Sequence, residues 1–453
     1  MPRVWDVPVH DSTRVRDARV AAEDAAALAG LDERRTAAAG LVATELATNL
    51  LKHAEGGQVL VDVVAAPVLR EGRADARVVQ IAAVDHGPGM PDVTAALRDG
   101  FSTSRSLGAG LGTCARLSDD FTLHSVPGRG TVAVARVSSA PRGIDGPAGP
   151  GGRVTAAGQW PGGTPPFGTV TCGGLTGHAA APAGSGPRAG ALANATPHGT
   201  APAHRPAETG TPADHPARAP EPGHRPTEAG PPSNGPARST EAEQNRSSAV
   251  SEVRAGGVNI PYGGAEYSGD AWAWVRAGDR VTLMLADGLG HGPEAARASS
   301  AAVTALHRWA GLSPADALWR LHDALQGTRG AAVALAQLDL TAGRLRFAGV
   351  GNVGARLRTG GTWRPLLSRP GIVGVHRHGS LQEEEAAWVG DPVLILHTDG
   401  LPSRWTPPSD PGLHEADPAV TAAVAIRDAS SPARPVRDDT AVAVLTSNPP
   451  ERP

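Results

Sequence analysis

This sequence of 453 residues contains few cysteines and few aromatic residues, and neither positive nor negative charge is in large excess. Its two cysteines, Cys114 and Cys172, cannot form a disulfide framework, so we expect a protein of a reducing compartment. The formal net charge of -3 favours neither nucleic acid nor an anionic membrane surface as a partner. The sequence has no apolar run near the ~20 residues that span a bilayer, and its first residues lack the apolar segment of a signal peptide. These absences predict a cytoplasmic protein that binds neither nucleic acid nor membrane.

Composition divides the chain into three parts. Residues 1–137 and 251–447 show regular hydrophobic periodicity, whereas residues 138–250 are dominated by Pro, Gly, Ala, Thr and His and show none. A segment of that composition cannot bury enough apolar surface to offset the entropy that it loses on ordering. We therefore predict two domains that are joined by a disordered linker.

The first part alternates between strand and helix patterns. Helices are predicted at about 12–29, 33–54, 93–99 and 107–118, and strands at about 4–9, 58–64, 77–84, 121–125 and 131–137. This order predicts an α/β sandwich, which is one mostly antiparallel sheet with helices on one face.

The second of these helices carries three polar residues on one face. Glu45, Asn49 and His53 are spaced i, i+4 and i+8, next to an apolar stripe that would face a core. A carboxamide oxygen can ligate Mg²⁺, and a carboxylate can orient or deprotonate a nucleophile. The spacing by itself is equally compatible with a solvated polar face.

Two glycine-rich turns follow this helix. Asp85 ends a predicted strand and precedes Gly87 and Gly89, so the backbone can approach a ligand while the carboxylate accepts a hydrogen bond from an amine such as that of adenine. The second turn opens a helix, where backbone amides and the helix dipole favour an anion. Its glycines are Gly108, Gly110 and Gly112. Either turn alone is a weak signal, and the sequence contains no Walker motif.

Taken in this order, the three motifs resemble the N, G1 and G2 boxes of the GHKL ATP-binding fold. The segments 99–104 and 127–131 narrow the resemblance to RsbT-type switch kinases, over residues from about 3 to 137. The resemblance implies ATP with Mg²⁺ as the cofactor and Glu45 as the base or the group that orients the nucleophile. It assigns ATP and Mg²⁺ to Asn49, His53, Asp85, Gly87, Gly89, Gly108, Gly110, Gly112 and Thr131.

The last part of the chain contains more strand patterns than helix patterns. Strands are predicted at about 271–275, 280–285, 331–339, 344–349, 355–358, 384–389, 393–397 and 440–445, and helices at about 293–309, 314–325 and 420–429. Many strands with few helices predict stacked sheets that are flanked by helices, an α+β layout.

Four aspartates of this part lie where a predicted strand meets a loop: Asp270, Asp287, Asp399 and Asp438. Oxygen ligands from separate strands, with few Cys or His nearby, suit Mg²⁺ or Mn²⁺ rather than zinc. Two such ions can clamp the attacking and leaving oxygens of a phosphate ester. A single Asp-Gly pair is more typical of a turn, but four aspartates in equivalent positions indicate a metal site.

The set resembles the PPM family of metal-dependent Ser/Thr phosphatases, in its SpoIIE/RsbX branch, over residues from about 253 to 446. The resemblance implies an αββα sandwich with two Mn²⁺ or Mg²⁺ ions. Asp287 and the Gly288 carbonyl would bridge the ions, and Asp270 and Asp399 would complete the site together with an acidic residue before the last strand. That last motif is Asp438-Asp439-Thr440, one residue shorter than is usual in the family, so either aspartate can be the ligand.

The two resemblances together predict an ATP-dependent Ser/Thr kinase that is fused to the opposing phosphatase. They imply STAS-domain partners, of the anti-sigma factor antagonist or stressosome type, with a sigma factor as a further partner, in bacterial stress regulation. The alternative is an N-terminal domain that binds ATP or an anti-sigma partner without transferring phosphate, so that only the phosphatase is catalytic.

Overall fold

The computed structural model describes residues 3–54, 56–66, 77–97, 110–139, 153–158, 253–376, 379–414, 416–431 and 433–447. Three features that the sequence singles out lie outside these residues. They are Gly108, the segment 99–104, and most of the predicted linker with Cys172.

The first part of the chain folds into one six-stranded sheet in the order β1-β2-β3-β5-β4-β6. Its strands are β1 (Trp5–Val9), β2 (Gly57–Ala65), β3 (Arg77–Val84), β4 (Asp120–Val126), β5 (Gly130–Ser138) and β6 (Arg153–Gly158). The helices are α1 (Ser12–Ala29), α2 (Glu33–His53), α3 (Val93–Ala96) and α4 (Gly110–Leu117). All the strand pairs are antiparallel except β4 with β6, which confirms the predicted mostly antiparallel sheet.

The two long helices begin and end where local signals place them. Asp11 caps α1 by accepting a hydrogen bond from the Thr13 amide, and Asp32 caps α2 by accepting one from the Arg35 amide. Gly30 ends α1 in the left-handed region with φ of 76°. The apolar stripe of α2 is buried against the sheet, as predicted, with Leu46 as one of its largest side chains.

Strand β6 lies inside the segment that the sequence assigns to the linker. It pairs in parallel with β4 at the edge of the sheet. Glycine and proline flank this short stretch on both sides, so hydrophobic periodicity is too weak to mark it. A strand partner supplied by the tertiary fold, rather than local propensity, accounts for its conformation.

The last part of the chain contains two five-stranded sheets, in the orders β14-β11-β10-β9-β8 and β13-β12-β15-β16-β7. Their strands are β7 (Val253–Ile260), β8 (Asp270–Ala277), β9 (Arg280–Gly288), β10 (Ala331–Asp339), β11 (Arg344–Val350), β12 (Gly354–Thr359), β13 (Thr362–Leu366), β14 (Glu384–Ala387), β15 (Val393–His397) and β16 (Thr440–Ser447). The helices are α5 (Pro293–Trp309), α6 (Pro314–Leu325) and α7 (Pro418–Ala429).

The apolar side chains of this part form three layers of core. One cluster fills the space between the two sheets, one packs α5 and α6 on the first sheet, and one packs α7 on the second. The arrangement is the αββα sandwich that the sequence resemblance implies. None of the helices within the described ranges is long and apolar enough to cross a bilayer.

Strand β7 was not predicted because it contains two consecutive glycines, which lower strand propensity. Both glycines allow close approach. A Cβ at Gly256 would lie 2.8 Å from the Ala419 amide nitrogen of α7, and one at Gly257 would lie 2.7 Å from the Trp272 ring. The two faces of β7 are therefore too crowded for any side chain at these positions.

Helix α7 packs between two sheets. On one side it covers β7, β15 and β16, and on the other it contacts the face of the first sheet that α1 and α2 leave uncovered. Both folded parts belong to one compact unit, which contains residues 1–174 and 246–453. The sequence predicted helices on one face of the first sheet, but it did not predict that α7 covers the other face.

Candidate active sites

The polar face of α2 meets the glycine-rich start of α4. A Cβ at Gly110 would lie 3.1 Å from Glu45 Oε2 and 3.4 Å from Asn49 Oδ1, so a side chain there would crowd both polar groups. Asn49 Nδ2 is buried and has no hydrogen-bond partner among the described residues. The structure thus brings Glu45, Asn49 and Gly110 together, with the buried Gly112 two residues further along α4.

Asp85 lies in a tight cluster at the end of β3. Its Oδ1 accepts hydrogen bonds from the amides of Gly87 (2.8 Å) and Thr131 (3.1 Å), so the second carboxylate oxygen takes part in neither bond. Burial raises the pKa of Asp85, and these two amides oppose the rise. Gly89 has φ of 67°, and a Cβ there would lie 2.2 Å from the Val126 carbonyl oxygen, which explains the second glycine of the motif.

The Asp85 turn packs against the C-terminal end of α2. A Cβ at Gly87 would lie 2.8 Å from Ala54 Cα, and one at Gly57 would lie 2.8 Å from Leu50 Cδ2 and 3.3 Å from Asp85 Cβ. The predicted motifs therefore lie beside one another, apart from the exposed His53 in the last turn of α2. An unpartnered carboxamide and glycine turns without side chains fit a ligand such as a nucleotide with its metal ion.

The predicted aspartates of the last part line one cleft, together with Asn352 and Asp439. Asp270 at the start of β8 lies opposite Asp287 at the end of β9, in the same antiparallel pair. Asp399 follows β15, and Asp438 precedes β16. No group of three carboxylates, imidazoles or thiols in the described ranges forms a compact metal cage, so these residues surround the cleft as a looser cluster.

Burial and like charges together raise the pKa values of these carboxyl groups. The pKa of Asp287 rises to about 7, because of burial first and then the charges of Asp399, Asp438 and Asp439. Burial, followed by the charge of Asp287, also raises the pKa of Asp270, whose Oδ2 is buried with no hydrogen-bond partner among the residues that the structure describes. A cluster of this kind fits divalent cations, which neutralise the repulsion and bind the free oxygen.

Asp438 and Asp439 differ in what their carboxylates contact. Asp439 is buried, and its two oxygens accept hydrogen bonds from the amides of Tyr262 (2.7 Å) and Gly269 (2.8 Å). Asp438 is exposed at the cleft, and its Oδ1 accepts a bond from the Asp439 amide at 2.8 Å. The two acidic residues that the sequence left as alternatives thus have different surroundings. Asp439 binds backbone amides of the loop before β8, whereas Asp438 is exposed at the cleft.

Gly288 follows Asp287 at a point where the backbone runs against α5. A Cβ at Gly288 would lie 2.2 Å from the Ala295 carbonyl oxygen, so no other residue fits there. The following loop turns with φ of 84° at Gly290 and 80° at Gly292. His291 lies exposed in this loop.

The sequence analysis missed Asn352. Its Nδ2 donates a hydrogen bond to Asp399 Oδ2, and its side chain also lowers the pKa of Asp287 against the effect of burial. Asn352 comes two residues after the end of β11 and next to a glycine, as Asp399 comes two residues after the end of β15. Extending that criterion from carboxylates to carboxamides would have found it.

Two family models match the chain, one for each folded part. Residues 9–136 match the model described as Histidine kinase-like ATPase domain, and residues 277–447 match the model described as Stage II sporulation protein E (SpoIIE). The chain therefore combines a histidine kinase-like ATPase domain with a SpoIIE-type phosphatase domain. Both resemblances that the sequence motifs indicated are confirmed.

One curated relative is the serine/threonine-protein kinase RsbT of Bacillus subtilis (strain 168). It is 43% identical over 88 residues, which are 19% of this chain and 61% of that protein. The match thus spans less than two thirds of the relative's length.

Similar solved structures include the PP2C phosphatase domain of SpoIIE from Bacillus subtilis, with 18% identity and a TM-score of 0.38 over 43% of this chain and 64% of that one. RsbX in complex with magnesium has 20% identity and a TM-score of 0.37, over 43% of this chain and 94% of that one. The RsbU and RsbW domains of a Mycobacterium tuberculosis protein have 23% identity and a TM-score of 0.36, over 45% and 64%.

Proposed function

We propose that this chain is a bifunctional regulator that adds phosphate to Ser or Thr of a protein partner and removes it again. The ATPase domain would transfer the phosphoryl group from ATP, and the SpoIIE-type domain would hydrolyse the phosphate ester. The observation that carries this proposal is the cleft in which Asp270, Asp287, Asp399 and Asp438 gather around a free carboxylate oxygen.

In the phosphatase cleft, two Mn²⁺ or Mg²⁺ ions would be held by the carboxylates of Asp270, Asp287, Asp399 and Asp438 and by the Gly288 carbonyl. The ions would supply Lewis acidity toward the phosphate ester. Asp439 would keep Gly269 and the start of β8 in position through its bonds to backbone amides. Asn352 would hold the Asp399 carboxylate toward the cleft.

In the ATPase domain, Asn49 would ligate the Mg²⁺ that accompanies ATP through its carboxamide oxygen, since its Nδ2 atom is buried beside Gly110 and has no hydrogen-bond partner in the part of the chain that the structure describes. Glu45, one turn earlier, would act as the base or orient the attacking hydroxyl. Asp85, which Thr131 and Gly87 hold by their amides, would accept a hydrogen bond from adenine. Gly108, Gly110 and Gly112 would approach the phosphates, and His53 lies at the same helix end.

For the partners we propose STAS-domain proteins of the anti-sigma factor antagonist or stressosome type, with a sigma factor acting downstream. Support comes from the RsbT-like motifs and from the 43% identity to a serine/threonine-protein kinase. The setting would be a bacterial partner-switching pathway.

The experiment uses two full-length variants, each with one site disabled. Asp287→Asn is incubated with labelled ATP and candidate STAS-domain proteins, and we expect label on Ser or Thr of one of them. The purified phosphoprotein is then given to Glu45→Gln, which should remove the label in the presence of Mn²⁺. Nucleotide binding without any transfer by Asp287→Asn would instead establish the alternative, a non-catalytic binding domain beside an active phosphatase.

A further inference from the structure

Helix α7 has no polar face to present to solvent. Every residue from Pro418 to Arg427 is buried, and most of them are alanine, valine or isoleucine. A helix that is apolar all round is stable only when it is covered on all sides. The sheet of the phosphatase domain covers one side, and Leu60, Ala82, Val84, Val132 and Val134 of the ATPase domain cover the other.

A buried ion network joins the two domains at the start of α7. Asp417 caps this helix and is fully buried, and its carboxylate accepts hydrogen bonds from Arg136 of the ATPase domain and Arg254 of β7. Gln80 accepts two bonds from the Arg136 guanidinium and donates one to the Gly257 carbonyl at 2.8 Å. If the domains separated, Arg136 would lose the Asp417 carboxylate and Asp417 would keep only Arg254 of its own domain, so the contact is specific as well as apolar.

The other end of α7 contacts the two turns that hold Asp85. His86 Nε2 lies 3.0 Å from the Arg427 carbonyl oxygen, and Arg427 Nη1 donates to the Gly130 carbonyl at 3.4 Å. Arg129 forms an ion pair with Asp428 at 2.6 Å. His86 follows Asp85 in the chain and Gly130 precedes Thr131, so α7 touches both sides of the proposed adenine pocket.

The same end of α7 leads directly to the phosphatase cleft. Residues 430–437 connect it to Asp438 and Asp439, which line the cleft. A change in the position of Arg427 therefore reaches a cleft carboxylate through a short stretch of chain. Coupling between two sites needs a connected element of this kind that both sites contact.

We propose that the uncovered sheet face of the ATPase domain is the docking surface of the chain's own phosphatase domain, and that nucleotide at Asp85 changes the metal cleft through α7. The coupling half of this inference rests on the nucleotide site proposed above, whereas the docking half does not. It follows that the two domains act as one body rather than as independent units on a tether.

The docking surface is tested by cutting the intact chain at a protease site placed between residues 175 and 245. The two fragments should stay together on gel filtration after cleavage. Ala82→Glu, which places a charge against α7, should release them, and Ala37→Glu on an exposed position of α2 should not. Fragments that separate in the parent protein, or that stay together equally well in both variants, would overturn the docking proposal.

Coupling is tested in the full chain with a non-hydrolysable ATP analogue at constant Mg²⁺. The analogue should slow hydrogen exchange of residues 430–440 and change the rate of p-nitrophenyl phosphate hydrolysis by about fivefold. Arg129→Ala should bind the analogue but lose both effects, because the link to Asp428 is gone, whereas Arg14→Ala, which breaks an exposed ion pair within α1, should keep them.

Binding of the analogue is measured separately, by equilibrium dialysis. An analogue that binds without altering exchange or hydrolysis would overturn the coupling and leave the nucleotide site intact. An analogue that fails to bind would overturn both the coupling and the proposed ATP site.

Discussion

Asp270 and Asp287 lie opposite each other on adjacent antiparallel strands, so that a buried and a half-buried carboxylate meet at the edge of one cleft. The charge of Asp287 adds to burial in raising the pKa of Asp270. Without a cation this arrangement opposes folding, because each ionised group disfavours the other. The strand register that brings the two together thus costs stability in the metal-free protein and forms part of the proposed metal site.

The first prediction concerns Asp287→Asn in metal-free protein. The folded pKa of about 7 exceeds the unfolded value of 3.8, so ionisation of Asp287 destabilises the fold increasingly as pH rises from about 4 to about 7. The substitution should therefore raise the free energy of unfolding by roughly 2 kcal/mol at about pH 8 and hardly at all near pH 4. Thermal melts in a chelator check this, with Asp323→Asn on the exposed face of α6 as the control. An equal gain at both pH values would contradict the assigned cause.

A second prediction separates Asp438 from Asp439. Asp438→Asn should lower phosphatase activity by roughly 100-fold with little change in the melting temperature, because it removes a metal ligand that is exposed at the cleft. Asp439→Asn should instead lower the melting temperature, because an amide nitrogen replaces one acceptor of the Tyr262 and Gly269 backbone bonds. Activity assays in excess Mn²⁺ and thermal melts of both variants distinguish the two roles. The opposite pattern would make Asp439 the ligand.

Local signals in the sequence predicted much of the fold. The helix Ser12–Ala29 begins at its aspartate cap and ends at Gly30, and both bounds are as predicted. The aspartates at strand ends also predicted where the cleft lies, since side chains at these positions converge once the sheets stack. Signals of this kind depend only on residues within one helical turn or at the end of one strand.

What the sequence did not predict depends on distant contacts. Gln80 and Arg136 alternate with apolar residues on their strands, a pattern typical of a sheet face that water covers. In the structure both side chains are buried, and Arg136 pairs with Asp417, more than 200 residues away in the chain. Local periodicity cannot distinguish a sheet face that is exposed to water from one that a second domain covers. It also did not indicate β7, whose two consecutive glycines lower strand propensity.

A third prediction tests the nucleotide site. Asn49→Ala should abolish Mg-ATP binding, because the ion loses its carboxamide ligand, whereas Glu45→Gln should retain binding and lose transfer. Equilibrium dialysis with labelled ATP measures the first effect, and label transfer to a partner protein measures the second. Parental transfer rates in Glu45→Gln would show that Glu45 is not the base.

The last prediction concerns the buried network at Asp417. Burial alone would raise the pKa of this carboxyl, but the guanidiniums of Arg136 and Arg254 outweigh it and lower the pKa to about 2. A folded pKa below the unfolded value contributes stability that is present above about pH 4 and is lost as pH falls toward 2. Asp417→Asn leaves two buried arginines without their counter-charge, so it should cost roughly 3–5 kcal/mol at neutral pH.

The difference between Asp417→Asn and the parent should therefore shrink as the pH falls, since the parent loses the same ion pairs on protonation. Urea unfolding at about pH 7 and about pH 3 measures it. Arg129→Ala breaks the outer ion pair with Asp428, in which the Arg129 side chain is 54% exposed, and should cost less than about 1 kcal/mol at either pH. A loss at Asp417 that is as small as the loss at Arg129 would mean that the Arg136–Asp417 contact does not hold the two domains together in solution. If Asp417→Asn lowers the free energy of unfolding strongly at neutral pH and weakly in acid, α7 of the phosphatase domain stabilises the ATPase sheet that it covers.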